Sequence, residues 1–350
     1  MTIVSINTKA SIVALHRPLS GSWSSDRILA LHAAAVNADQ KVLVLGSAGR
    51  IGRAVVAELN ARGARVRGFD RVRTPGLEDA IVGDITDGVA VARATVGVDT
   101  VIHLAATPDD VEDVVGQLFP ANIVGVYHVM EAARLASVKR LILASSVQVN
   151  WWQGVSRRLP LRPDDPPSPR YWYAATKMFL ESIGRGYAET HGIGVIVARL
   201  GWCPRTPEQV QELAADEWAQ DFYLSPADSG RFFACAVESS SDIRFAIVYA
   251  SSKPVRRSHF DLEPAKELLG FVPEETWPQG VGTVLADFGK SRSDPVPVEQ
   301  EVGLGHLDRR KRNGRPMRAL FGARVLTIAR RIARLAELFE GRSKLGDGQR

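Results

Sequence analysis

Five residues, Lys41-Val42-Leu43-Val44-Leu45, run into three glycines at a spacing of three, Gly46, Gly49 and Gly52. No other stretch constrains the chain as tightly. The five are mostly branched and apolar, which predicts a strand buried on both faces. Arg53 to Arg62 continues with Ala54, Val55, Val56, Leu59 and Ala61 at helical spacing. The sequence is therefore a strand, a tight glycine turn and a helix N-terminus. That terminus offers free N–H groups and the positive end of a dipole, so it can hold a pyrophosphate. A side chain at Gly46 or Gly49 would block close approach of phosphates, and one at Gly52 would push the helix off the strand. Gly46, Gly49, Arg50, Ile51 and Gly52 are the first cofactor-binding candidates.

The surroundings extend this reading. A second strand, Arg65-Val66-Arg67-Gly68-Phe69-Asp70, ends in an acid eighteen residues after Gly52. A carboxylate there can accept both hydroxyls of an adenosine ribose and repels a 2′-phosphate, which favours NAD over NADP. Arg71 and Arg73 lie just beyond and could meet a 2′-phosphate, so NADP is not excluded. Strands are expected at 41–45, 65–70, 80–82, 99–104, 140–144, 194–199 and 245–250, alternating with helical segments. Such alternation predicts an α/β fold, a doubly wound parallel sheet of Rossmann type that binds ligand at the carboxyl ends of its strands. Asp84-Ile85 follows the third strand and can hold an adenine edge and ring face. His103-Leu104-Ala105-Ala106-Thr107 ends the fourth, where small residues let a ribose and nicotinamide pass close to the backbone. His103 itself reads as a satisfied strand-end histidine. Asn122 is expected to open the next helix.

The fifth strand ends at Ser145-Ser146, and beyond a proline-rich loop comes Tyr173-Ala174-Ala175-Thr176-Lys177. Residues four apart share a helix face. A tyrosine titrates near 10, too high for a base at neutral pH. A lysine cation beside it favours the phenolate, and a serine hydroxyl can hold the substrate oxygen.

Gly46-x-x-Gly49-x-x-Gly52, Asp70, Asp84-Ile85, His103-Leu104-Ala105-Ala106, Asn122, Ser145-Ser146 and Tyr173-x-x-x-Lys177 together resemble the extended short-chain dehydrogenase/reductase superfamily, of the NAD-dependent epimerase/dehydratase type. The resemblance covers about residues 41–290. Within it the chain looks most like uronate dehydrogenases, through Arg199-Leu200-Gly201-Trp202-Cys203-Pro204, Ser225-Pro226-Ala227-Asp228, Ser258-His259-Phe260 and Leu269-Gly270-Phe271. The resemblance implies that Ser146 orients the substrate, Tyr173 is the acid/base, and Lys177 holds both ribose and phenolate. Leu104, Ala105, Ala106 and Asn122 would join the cofactor site, and Thr107, Gln148 and Trp202 would face the substrate. Uronate dehydrogenases usually carry Asn-His where this chain has Val147-Gln148, and serines where it has Pro108 and Trp202. Trp151, Trp152 and Trp202 point to a more apolar or differently shaped substrate site.

The expected activity is NAD-dependent oxidation of a sugar or sugar-acid hydroxyl or hemiacetal. A sugar epimerase using the same residues with bound NAD is one alternative, and a non-catalytic NAD(P)-sensing protein is another. Dehydration would need acids beside the serine, which Val147-Gln148 does not supply. Two cysteines, Cys203 and Cys235, give neither a disulfide framework nor zinc-ligand spacing, so no metal is expected. No apolar run reaches the roughly 20 residues that span a bilayer, and the N-terminus lacks the apolar core of a signal peptide, so a cytoplasmic protein is expected.

The net charge of +5 belongs to the tail: residues 301–350 carry 13 Lys/Arg against 5 Asp/Glu, leaving 31 against 34 in the rest. That balance gives no reason to expect a nucleic-acid partner. The expected organisation is an N-terminal extension (1–40), a cofactor-binding domain (41–200), a small C-terminal substrate lobe (201–290), a linker (291–316) and a basic amphipathic helix (317–341). In that helix Phe321, Val325, Ile328, Ile332, Leu335 and Phe339 form an a/d stripe flanked by arginines. It fits a helix docked on its own body, a partner-binding or self-associating helix that would make a homo-oligomer, or a helix lying on an anionic membrane surface.

Overall fold

The computed structural model describes residues 40–283, except Asp110, Arg157 and Arg158, together with 285–286. The expected extension, linker and amphipathic helix lie outside the described residues, apart from Gln40.

Seven strands form one parallel sheet: β1 (Lys41–Leu45), β2 (Arg65–Asp70), β3 (Ala80–Val82), β4 (Thr100–His103), β5 (Arg140–Ser146), β6 (Gly194–Leu200) and β7 (Phe245–Ala250). Their order is β3-β2-β1-β4-β5-β6-β7, and every neighbouring pair is parallel. The alternating apolar strands bury both faces. Val42, Val44, Ile102, Ile142, Ile196 and Val248 pack on one side against helices α1 (Arg50–Ala61), α8 (Pro226–Glu238) and α9 (Glu263–Leu269). Leu43, Leu45, Val101, Leu141, Leu143, Val195 and Val197 pack on the other against α2 (Gly88–Thr95), α3 (Val126–Leu135) and α5 (Trp172–His191). Continuous apolar runs in the sequence are thus strands covered twice, the arrangement parallel sheets require.

The short α4 (Trp151–Val155) follows a 3-10 turn after β5, and α6 (Pro207–Ala215) and α7 (Glu217–Gln220) follow β6. Leu213, Ala219 and Tyr223 make a separate small core with Trp202, Trp277 and Val281. By contrast α8 covers the main sheet, and Gly230 brings its backbone so close to α1 that a Cβ would sit 2.8 Å from the Ala54 carbonyl oxygen. Asp228, fully buried in the first turn of α8, ties that helix to the following chain. Its carboxylate accepts from Ser252 Oγ at 2.7 Å and from the Glu274 and Glu275 amides at 2.8 and 3.1 Å.

Two local expectations change. Asn122 does not open an α-helix. It lies in a π-turn, Pro120–Gly125, and the α-helix begins at Val126. Pro120 and the side-chain bonds of Asn122 described below reshape the entry into that helix. Strand β5 runs through Ser145 and Ser146, two residues past its expected end, because Arg199 and Leu200 of β6 pair with them.

Among the described residues no helix is long and apolar enough to cross a membrane, and no cluster of three metal-ligating side chains occurs.

Candidate active site

The strand order reverses between β1 and β4, and ligands of open α/β sheets bind at the carboxyl ends of strands beside such a point. Gly46 leaves β1 with φ +89°, a conformation that favours glycine. A Cβ there would meet the Ala105 amide nitrogen at 2.7 Å, because the Leu104 and Ala105 amides both donate to the Leu45 carbonyl. At Gly52 a Cβ would lie 2.1 Å from the Gly46 carbonyl oxygen, so this glycine sets the distance of α1 from the turn. Gly49 is different: its φ is −64° and a Cβ would touch only the Gly46 oxygen, at 3.2 Å.

The first turn of α1 has no side-chain cap, whereas Asp87, Thr206 and Ser225 cap α2, α6 and α8. Its N–H groups are left for an anion. Asp70, at the end of β2, accepts from the Ala48 amide of the glycine turn at 3.0 Å and from the Arg71 amide at 2.7 Å. These features fit an adenine dinucleotide, with the pyrophosphate at α1 and a ribose near Asp70. Arg50 reaches across the turn, donating to the Pro204 carbonyl and to the Cys203 carbonyl at 2.6 Å, while its buried Nε has no protein partner. Ile51 packs inward onto the core below the turn.

Asp84 Oδ1 accepts from both the amide and the hydroxyl of Thr86 at 2.8 Å, and the backbone bond above all holds its carboxyl below the ordinary value. Ile85 is buried beneath Gly125. Asn122 is also buried and ties three elements together. Its Oδ1 accepts from the Thr107 amide at 2.8 Å, and its Nδ2 donates to the Thr107 carbonyl and the Thr176 hydroxyl, each at 3.1 Å. The loop Leu104-Ala105-Ala106-Thr107 is thereby fixed to the π-turn and to α5. Thr107 spends its hydroxyl on the Gln117 carbonyl at 2.8 Å.

Helix α5 starts at Trp172, so Tyr173 lies in its first turn and Lys177 one turn on. The Lys177 ammonium lies 5.5 Å from the Tyr173 ring centre and donates to the Ala144 carbonyl of β5 at 2.9 Å. Burial draws Lys177 down to about 8, opposed by the negative charge of Glu181. Ser146, buried at the end of β5, accepts from the Gln148 amide at 3.2 Å, which leaves its own hydroxyl proton for another acceptor. Lys177 thus stands between the Tyr173 ring and the Ala144 carbonyl, two residues before Ser146 on β5. His103 is buried in the end of β4 with Nδ1 unpartnered, so it is not the satisfied histidine expected. Burial, reinforced by the charge of Lys177, lowers it to about 3 and keeps it neutral.

On the outer side of the cleft, Asp109 adopts φ +64° and joins two loops. Its carboxylate accepts from Gln148 Nε2 at 3.4 Å and pairs with Arg205. Trp202 bridges to Tyr223 and packs in the small core rather than standing free. Trp151 lies under the Arg170 guanidinium, and Trp152 is about half exposed.

A profile of the NAD dependent epimerase/dehydratase family matches residues 42–202. The chain is 31% identical to an L-arabinose 1-dehydrogenase (NAD(P)(+)) of Haloferax volcanii over 251 residues, 67% of this chain and 96% of that enzyme. The chain belongs to the NAD dependent epimerase/dehydratase family. Family membership brings an NAD cofactor and oxidoreductase chemistry. A uronate dehydrogenase of Pseudomonas putida is 28% identical over 74% of this chain and 93% of its own length. Among solved structures, a glucuronic acid dehydrogenase of Chromohalobacter salexigens shares the fold with a TM-score of 0.58 at 23% identity, covering 75% of this chain and 92% of that one.

Within this family member, three side chains at the site were not singled out by motif. Glu181 repeats the four-residue step of Tyr173 and Lys177 once more, so its place on the same face of α5 was readable from spacing. Asp109 and Arg205 stand 96 residues apart, and nothing in the sequence links them.

Proposed function

We propose that the chain is an NAD-dependent dehydrogenase that oxidises the hemiacetal or a ring hydroxyl of a compact sugar or sugar acid. The observation that supports this reading is the buried Lys177, 5.5 Å from the Tyr173 ring centre and hydrogen-bonded to the Ala144 carbonyl two residues before Ser146. Bound NAD would supply the acceptor for the substrate's hydride, held by the α1 N-terminus, Asp70 and the Leu104–Thr107 loop. Ser146 donates its hydroxyl proton to the substrate oxygen. Tyr173, as phenolate, takes the proton from that oxygen as the C–H bond breaks, and the oxygen becomes a carbonyl. The Lys177 cation stabilises the phenolate electrostatically. Relatives named for arabinose and for uronate support the substrate class. About ninety residues follow Gly201 up to Lys290, little chain for enclosing a large nucleotide sugar.

The test is a screen of aldopentoses, aldohexoses and uronic acids with NAD and with NADP, read at the NADH absorbance. Net NADH with one of these substrates is expected, faster with NAD. Product without net NADH would mark an epimerase, and NAD binding with no turnover of any sugar would mark a sensor.

A further inference from the structure

Behind the site lies a buried ion pair that the proposed chemistry does not itself use. Arg199 of β6 and Glu181 of α5 are 2% and 7% exposed and meet in fork geometry, with Nε to Oε1 at 3.0 Å and Nη2 to Oε2 at 2.9 Å. Further hydrogen bonds extend from the pair. Ser145 Oγ donates to Glu181 Oε1 at 2.5 Å. Arg199 Nη1 donates to Asn150 Oδ1 at 2.7 Å and to the Pro163 carbonyl at 3.0 Å. Tyr249 of β7 donates to Asn150 Oδ1 at 3.0 Å. Ser145, Arg199 and Tyr249 are register partners on three adjacent strands, so the network crosses the sheet in one row.

Two of these points adjoin residues of the proposed chemistry: Ser145 precedes Ser146, and Glu181 stands one helical turn beyond Lys177. Asn150 and Pro163 lie within the segment that joins Ser146 to Tyr173. A buried pair is weak evidence of stabilisation, because desolvation offsets the attraction. Its retention at this spot calls for another role. We propose that Glu181 and Arg199 are positioning residues for the reaction: they hold Ser145, and with it Ser146, together with Asn150 and Pro163 against α5, and Glu181 supplies the negative charge that keeps Lys177 an ammonium. The charged and titratable groups facing Lys177 are Glu181 and Tyr173 on its own helix, neutral His103 on β4, and Arg199 on β6 behind Glu181. On β5 it donates to the Ala144 carbonyl. Glu181 is therefore the one anion in this set, and it opposes the desolvation of Lys177.

The inference rests on the proposed Ser146–Tyr173–Lys177 chemistry, but its test is independent of substrate. The full-length chain, labelled at the lysine ε-carbon with ¹³C, is titrated by NMR, with the Lys177 signal assigned by its loss in Lys177→Met. Glu181→Gln is expected to lower the Lys177 midpoint by roughly one pH unit, the lower end of what a nearby opposite charge does. Glu181→Asp, which keeps the charge, should restore most of it. If Glu181→Gln fails to fold, the paired Glu181→Leu/Arg199→Met variant leaves no unpaired buried charge and should show a fall in the same direction, smaller because the Arg199 cation is removed with the Glu181 anion. An unchanged midpoint in a folded variant would overturn the proposal, because a purely structural pair lowers melting temperature without moving Lys177. With a substrate from the sugar screen, kcat should fall about tenfold or more in Glu181→Gln, as expected on impairing an acid–base group, while NAD affinity, read by tryptophan fluorescence, stays within about threefold. Failure to turn over any sugar would refute the dehydrogenase reading and leave the NMR result standing.

Discussion

Two glycines one turn apart should fail in different ways when replaced by alanine. A Cβ at position 52 lies 2.1 Å from the Gly46 carbonyl oxygen and 2.8 Å from Ser47 Cα. Both neighbours are backbone, and a Cβ has no rotamer to escape into. Restoring ordinary contact needs a shift of roughly 1 Å between α1 and the turn, in an interior packed as densely as a crystal. Overpacking of a close-packed site costs about 1–3 kcal/mol, and a backbone collision belongs at the top of that range. A loss of about 3 kcal/mol corresponds to a fall of about 6–12 °C in Tm for a domain of this size. It should also lower the urea midpoint by about 1 M or more. Gly49→Ala meets only one oxygen at 3.2 Å, from a backbone conformation that alanine adopts freely. It should melt within about 1 kcal/mol of the parent, as most mild substitutions do, yet bind NAD at least tenfold more weakly, because the new methyl stands where phosphate approaches. The assays are urea melts of the apoprotein and NAD titration by fluorescence quenching. If Gly52→Ala melts like the parent, the steric account of that glycine is wrong. If Gly49→Ala binds NAD normally, the pyrophosphate does not lie over position 49.

Tyr173→Phe should lower kcat by about 10²–10⁴ while NAD affinity stays nearly intact; retention of more than a tenth of the parent rate would remove Tyr173 from the proton transfer. Asp70→Ala should narrow the preference for NAD over NADP, measured as the ratio of kcat/KM values, and a parent that already prefers NADP would refute the role given to Asp70. Arg205→Ala breaks a half-exposed ion pair with Asp109, so it should change stability by less than about 1 kcal/mol in paired urea melts, and a larger loss would refute the reading of that pair as a surface contact. Lys177 is protonated in the unfolded chain up to about 10.5 but in the folded protein only up to about 8. Between those values the unfolded state binds more protons, so the lysine's contribution to stability rises with pH. Lys177→Met should accordingly be the more stable protein at pH 7, by up to roughly 3 kcal/mol, and should lose that advantage by pH 10 in paired urea melts; a constant difference would refute the depressed value.

The sheet was legible in the sequence because its central strands β1, β4, β5 and β6 are short, mostly apolar runs buried on both faces, while β2 alternates charged and apolar residues and β3, partly exposed, is only three residues long. The glycine turn was legible for a related reason: its requirements are set by backbone approach, 2.1 Å at Gly52 and 2.7 Å at Gly46, and only one residue type meets them. Less visible were features decided by one side chain answering a distant one. Asn122 was expected at a helix start, but its amide closes on Thr107 and Thr176 instead, and the chain takes a π-turn there. His103 was expected to be satisfied, yet its Nδ1 has no partner. Asp109, which joins Gln148 to Arg205, takes a backbone conformation with φ +64°; aspartate adopts it more readily than most residues, but no local pattern marks this one for it. These three positions share a cause. His103 ends β4, and Asp109 and Asn122 lie in the connection between β4 and α3, where the repeating sheet hydrogen bonds have stopped and the backbone finds side-chain partners. The regular part of the fold follows from local pattern, and the cleft follows from pairings across 15 to 96 residues that no local pattern records. The same reasoning says where a change of substrate is easiest to build. The half-exposed Asp109–Arg205 contact sits on loops that carry no sheet bonds, so altering it disturbs little of the body. Altering Glu181 or Arg199 would disturb strands β5 and β6, helix α5 and the contacts to Asn150 and Pro163 at once.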